Sequence, residues 1–219
     1  MATRQVLAEL GSLYKQQTGH GVTIESVGGV DAARRVQAGE GFDVVMLAVD
    51  ALDKLVASGH VAAGSRVELM RSPVAVAVRA GAPLPDIGSE DALRRAMLAA
   101  QSIGYSTGPS GTHLLRLFEG WGLADTLRHR TVQAPPGVPV ATLVTSGKVE
   151  LGFQQLSELM HASGISVIGI LPAGAQFITT FAAGICSASA RAGEVHALLE
   201  FLTSPEAGAV KKRHGMEPA

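Results

Sequence analysis

The chain has 219 residues, a formal net charge of -1, and 47% hydrophobic against 17% charged residues, a balance that suits one large or two small folded domains and argues against disorder. With 18 Lys and Arg against 19 Asp and Glu there is no basic footprint for a nucleic acid, so any bound anion must be held locally. The lone Cys186 excludes an internal disulfide framework and a multi-thiolate metal site, and no run approaches the roughly 18 apolar residues that a membrane-inserted helix requires.

Val6, Leu7, Leu10, Leu13 and Tyr14 fall at helical spacing and predict an amphipathic helix from Thr3 to Gln17. Val22, Ile24 and Val27 predict a short strand ending at Gly28-Gly29, followed by a helix over VDAARRVQAG that Gly39 stops. FDVVMLA is a continuous apolar run that suits a strand covered on both faces, and DALDKLVASGHV returns to helical spacing. The next strand is RSPVAVAVRA, and the loop after it carries Pro83, Pro85 and Gly88. Beyond that loop the reading gives a helix over Glu90 to Ala100, a strand SIGYS, the loop TGPSG, a helix from Thr112 to about Gly120, and the turn WGLAD. LGFQQLSELMHASG and ISVIGILP continue the alternation, FITTFAAGI predicts another strand, and the remainder from RAGEVHALLEFL onward reads as helical. Alternating helix and strand implies an α/β fold with mostly parallel sheets flanked by helices. The first and last segments match each other better than the middle, which predicts a discontinuous outer lobe (1–81 with 177–219), an inserted inner lobe (82–176), and a cleft between them.

The order of VQAGEGFDVVMLAVDALDKLVASGHV, PSGTHLLRLFEGWGL, VATLVTSGKVELGF and FLTSPEAGAVKKRHGM resembles the type II periplasmic solute-binding proteins, and within them the molybdate-binding subgroup. The resemblance covers nearly the whole chain and implies a two-lobed α/β fold. Members of that family open with a strand and a small-residue loop ahead of the first helix, so the resemblance implies that the first strand is missing here. Loss of that strand would leave two ladder edges open, with instability or pairing to a neighbouring chain as the expected consequence. The resemblance also implies a periplasmic location, although the start MATRQVLAEL lacks the basic and apolar regions of a signal peptide.

In the resembled family a small anion is bound by backbone N–H groups at helix N-termini and by hydroxyls. The physical basis is that a helix start presents unpaired donors and about half a positive charge. Carried over position by position, one helix start is Gly28, Gly29 and Val30. The second is the turn of Ser106, Thr107, Ser110, Gly111 and Thr112. Gly137 or Val138 stands where another donor precedes a helix, and Gln155 replaces a tyrosine whose hydroxyl completes the family's site, with Gln154 beside it. The serines expected of a molybdate binder are replaced by the Gly28-Gly29-Val30 turn. Asp31 is either a helix-start residue or a carboxylate facing the ligand, where it can act as a base. Arg34 and Arg35 either face solvent or pair with a substrate carboxylate, and His113 is either a packing residue or an acid–base group. No histidine spacing suggests a metal, and no cofactor is expected.

Two functions fit these residues. The first is a ligand-binding protein that closes on a molybdate-class oxyanion or a small di- or tricarboxylate and presents it to an ABC permease. The second is catalysis, because some proteins resembling molybdate binders, aconitate isomerase among them, isomerise unsaturated tricarboxylates. In that reading Asp31, Arg34 and His113 are the candidate catalytic residues.

Overall fold

The computed structural model describes residues 1–219, which divide into two compact units: Met1–Ser72 with Thr180–Ala219, and Pro73–Thr179.

In the first unit, helix α1 (Arg4–Thr18) buries Val6, Leu10 and Tyr14 and ends at Gly19, whose φ of 78° is the left-handed conformation that glycine supplies without steric cost. Then follow α2 (Gly29–Gln37), strand β1 (Val44–Ala48) and α3 (Val49–Ala57). Strand β2 (Val67–Arg79) begins in this unit and leaves it after Ser72. The chain returns in strand β7 (Ile178–Ile185) and finishes with α9 (Ala192–Thr203), α10 (Pro205–Arg213) and β8 (Glu217–Pro218). The single C-terminal helix expected from the sequence is two, because Ser204 caps a new start by accepting a bond from Ala207 N–H while Pro205 takes the first helical position. Leu10, Met70, Ile185, Leu199 and Val210 pack together in the core formed by α1, the strands and the C-terminal helices.

No strand forms over residues 20–28. Val22 packs against the core and Ile24 is 38% exposed, so the apolar spacing there reports side-chain contact without a ladder. The segment is tied instead by Arg35, which bridges Glu25 and Glu40 at 2.7 Å each and lies over the Phe42 ring.

In the second unit the sheet centres on β3 (Ile103–Tyr105), parallel to β4 (Thr131–Gln133) and to β5 (Leu151–Gln155). The Pro73–Arg79 part of β2 pairs antiparallel with β5 and with β6 (Ile165–Ile170). Helices α4 (Glu90–Ala99), α5 (Pro109–Gly120), α6 (Ala124–Leu127), α7 (Val140–Thr145) and α8 (Leu156–Leu159) complete it. Gly104 and Gly152 let α7 lie close to the sheet, since a Cβ on Gly152 would stand 2.5 Å from Val144 Cγ2.

The α/β architecture is as expected, but strand direction differs from the mostly parallel reading, in the second unit at β2, which is antiparallel to β5 and β6, and also in the first unit. There β1 runs antiparallel to β7, and β2 to β8. The helix–strand alternation holds within 44–57 and 90–159, whereas the first unit pairs strands far apart in the chain, β1 with β7 and β2 with β8, which no single crossover helix links and which pair antiparallel. β2 begins six residues before Pro73, which sequence reading places near the strand's start, and it passes from one unit to the other at that proline. No helix is long and apolar enough to cross a membrane.

Candidate functional site

Parallel strands in register deliver their following turns to one edge of a sheet, and ligand-binding side chains collect there. In the second unit Tyr105 pairs with Phe153 and with Gln133, so the turns after β3, β4 and β5 leave together.

The β3 turn is Ser106–Gly108. Ser106 Oγ accepts from Gly108 N–H at 3.2 Å and lies 3.0 Å from Ser110 Oγ. Two mutually bonded hydroxyls use one proton between them, so one O–H remains free to donate outward. Helix α5 opens with Gly108 as N-cap, without a side-chain cap, and Pro109 at its first position. Gly111 and Thr112 N–H both turn to Gly108 C=O, which leaves Ser110 N–H open at the positive end of a 12-residue helix. Gly111 is obligatory: a Cβ there would fall 1.8 Å from Ser106 O. Ser110 is buried, whereas Thr107 and Thr112 are exposed. Thr112 Oγ1 reaches back to Gly108 C=O at 3.5 Å.

Val138 is placed differently from its expected role as a donor. Its N–H closes the Pro135–Val138 turn onto Pro135 C=O at 3.0 Å, because Pro136 and Gly137, the latter at φ 77°, are the two central residues that a type II turn demands. The next free amide, Val140 N–H, is taken by Gln154 Oε1 at 2.9 Å. A side chain 14 residues further along the chain therefore caps α7.

At the end of β5, Gln155 is 2% exposed and donates from Nε2 to Thr179 Oγ1 at 2.6 Å. Its Oε1 is buried with no partner. An unpaired buried amide oxygen costs about 1–3 kcal/mol, and a bound ligand can relieve that cost. Gln154 Nε2 donates to Glu158 Oε2 at 2.6 Å, and burial pushes the Glu158 carboxyl up to about 6. Glu158 and Thr179 carry no mark in the sequence. The only hint is the four-residue spacing from Gln154 to Glu158 across a strand–helix junction.

His113 is held as a packing residue: Nε2 sits 2.9 Å from Ala175 O, and the ring stacks on Phe177 with centroids 4.8 Å apart. It joins α5 to the 173–175 turn of the same unit.

In the first unit α2 starts bare. Gly28 is its N-cap with no side-chain cap, and Ala32 N–H is the first to bond back, to Gly28 O at 2.9 Å. Gly29, Val30 and Asp31 N–H are left as orphan donors. A Cβ on Gly28 or Gly29 would meet nothing closer than 3.7 Å, so packing does not forbid the serines of a molybdate binder. Val30 is 75% exposed. Asp31 Oδ1 pairs with Arg34 at 2.8 Å, one helical turn on, and Arg35 is consumed by Glu25 and Glu40. No group of three or more His, Cys, Asp or Glu converges to hold a metal ion.

Each unit taken by itself presents neutral donors: orphan amides at the start of α2 in the first, and in the second an open amide at the start of α5, a hydroxyl pair and an incompletely bonded amide. The chain belongs to the bacterial extracellular solute-binding protein family, whose model matches residues 1–217. It is 38% identical over 217 residues to an aconitate isomerase from a Pseudomonas species, covering 97% of this chain and 83% of that protein. Among solved structures it superposes on the periplasmic molybdate-binding protein of Azotobacter vinelandii with a TM-score of 0.82 at 23% identity, covering 98% of this chain and 95% of that one. The substrate-binding domain of a molybdenum ABC transporter from Clostridium difficile superposes with a TM-score of 0.77 at 16% identity, covering 100% of this chain and 95% of that one. These two likenesses establish the fold.

Proposed function

We propose that this protein is an isomerase of a small unsaturated tricarboxylate of the aconitate class, moving its double bond by proton transfer. The observation that carries the reading is the 38% identity, across 97% of the chain, to an aconitate isomerase. The donor types support it: carboxylates accept hydrogen bonds readily from open N–H groups such as those of Gly29 and Val30 in the first unit or Ser110 in the second, and from hydroxyls such as Ser106 and Ser110, and a helix start adds about half a positive charge. Asp31 and Arg34 serve the start of α2 through their mutual ion pair, and Gln155 gives the ligand a neutral partner. An allylic proton transfer needs one base and firm anchors, and calls for no cofactor.

A second reading, favoured by the family as a whole, is the substrate-binding component of an ABC transporter. The same donors then hold a molybdate-class oxyanion or a small di- or tricarboxylate and deliver it to a permease. In both readings the family points to the periplasm. Incubation with trans-aconitate followed by proton NMR tests the first reading, with appearance of the cis isomer as the expected result. No conversion, together with calorimetric binding of molybdate, tungstate, sulfate or a carboxylate, refutes the isomerase and upholds the transporter component. Silence across that panel refutes both.

A further inference from the structure

We propose that Glu158 is the residue that carries the proton in this isomerisation, and that Gln154 is the positioning residue that aims it. The inference rests on the isomerase reading.

The argument begins with Gln154, which is 3% exposed at the end of β5. Its Oε1 accepts from Val140 N–H, a backbone donor that cannot itself accept. That bond fixes which way the amide faces, so Nε2 must point at Glu158 and donate to Oε2 at 2.6 Å. A carboxylate held through one oxygen by a neutral donor stays basic at the other. The bond from Gln154 engages Oε2 alone, and Glu158 Oε1 is not among the buried orphan atoms. The carboxyl therefore has one restrained oxygen and one available oxygen. Burial raises its affinity for a proton to about 6, against an opposing pull from the positive charge of the amino terminus, and so brings it close to the range in which a group can both take and return one.

Its position is set by strand register. Phe153 pairs with Tyr105, so the Gln154–Gln155 corner continues beside Ser106, one strand spacing of about 4.8 Å away. Glu158 follows three residues later in the one-turn helix α8, on the sheet edge that also presents the Ser106/Ser110 hydroxyls and Ser110 N–H. Asp31 and His113 are engaged elsewhere, by Arg34 and by Ala175 with Phe177 respectively.

The step balances within the substrate and this residue. The Glu158 carboxylate takes a proton from the methylene carbon next to the double bond. The electron pair left behind spreads over the three-carbon allyl unit and its carboxylates. The Glu158 carboxyl then returns the proton to the far end of that unit. The former methylene carbon becomes vinylic, the former vinylic carbon becomes methylene, and Glu158 regains its starting state with no oxidant, reductant or co-reactant.

The test uses the full chain with trans-aconitate in D2O, following both isomer ratio and deuterium uptake by proton NMR. Glu158→Gln is expected to lower kcat by about 10²–10⁴-fold and to abolish deuterium uptake, with calorimetric affinity for trans-aconitate within about threefold of the parent. Gln154→Met keeps the carboxylate but removes its holder, and is expected to lower kcat by about tenfold with KM unchanged, whereas Gln154→Glu restores no activity. Conversion by the parent together with an unchanged rate in folded Glu158→Gln overturns the role of Glu158 alone. If Glu158→Gln fails to fold, an unchanged kcat in Gln154→Met overturns the proposal equally well. Absence of any conversion by the parent overturns the isomerase reading and this assignment with it.

Discussion

Gly111 is the position at which local sterics decide the shape of the second helix start. In a Gly111→Ala variant the new methyl would stand 1.8 Å from Ser106 O, 2.9 Å from Ser106 C and 3.0 Å from Tyr105 Cδ2. Two of these atoms are backbone, so no flexible side-chain end can yield. Bringing the carbon to an ordinary contact of about 3.3 Å requires the first turn of α5 to withdraw from the β3 turn by about 1.5 Å, and overpacking of this kind costs about 1–3 kcal/mol. For a chain of this length each kcal/mol lowers the melting temperature by about 2–4 °C, so a fall of about 2–12 °C is expected by circular dichroism. The same withdrawal separates Ser110 from Ser106, which lie 3.0 Å apart through their hydroxyls, and misplacement of about 1 Å in a positioning group can cost about 10²-fold in rate. Gly120→Ala, at the other end of α5 where nothing lies within 4 Å of the added methyl, is the control and should be neutral or stabilising by up to about 1 kcal/mol. A melting temperature for Gly111→Ala equal to that of the parent would refute the steric argument.

Lys211 is 1% exposed, donates from Nζ to Leu69 O at 2.6 Å, and has its ammonium pushed down to about 8 from an ordinary 10.5 by burial. The folded state therefore binds fewer protons than the unfolded state between those values. The penalty of burying the charge is fully present below pH 8 and is relieved as pH rises toward 10.5, by at most about 3 kcal/mol. Melting temperature should rise from about pH 8 to 9, below the opposing titration of Cys186, in the parent and not in Lys211→Met; identical profiles would refute the assignment. Cys186 is 3% exposed and its thiol is pushed up to about 11 by burial and by the Asp43 charge, so Ellman's reagent should label it only after unfolding, and rapid labelling of the native protein would contradict its burial. Gln155→Leu removes the buried orphan oxygen and should leave stability unchanged or higher while weakening carboxylate binding by about tenfold by calorimetry; unchanged affinity would show that Gln155 does not meet the ligand.

Local spacing in the sequence was enough to place α1, β1 and the α4–α5 region, because periodic burial is written into neighbouring residues such as Val6, Leu10 and Tyr14. The turn around Ser106–Thr112 was legible for the same reason: glycine, proline and hydroxyl residues ahead of a helix announce a start whatever the surroundings. Val22, Ile24 and Val27 show the limit. Their spacing is strand-like, but a strand exists only when another backbone meets its N–H and C=O groups, and that partner is not encoded locally.

The donor types of the site, amides and hydroxyls in place of free cations, were fixed by residue identity alone. Which of them stay available was settled by the tertiary structure. Val138 N–H is spent on a turn, Val140 N–H on Gln154, and Arg35 on two glutamates contributed by different loops. Glu158 acquires its properties only because folding buries its carboxyl and brings a fixed amide to one of its oxygens. Hydrogen-bond capacity belongs to a residue wherever it stands, whereas burial and the choice of partner depend on segments far apart in the chain that meet only on folding.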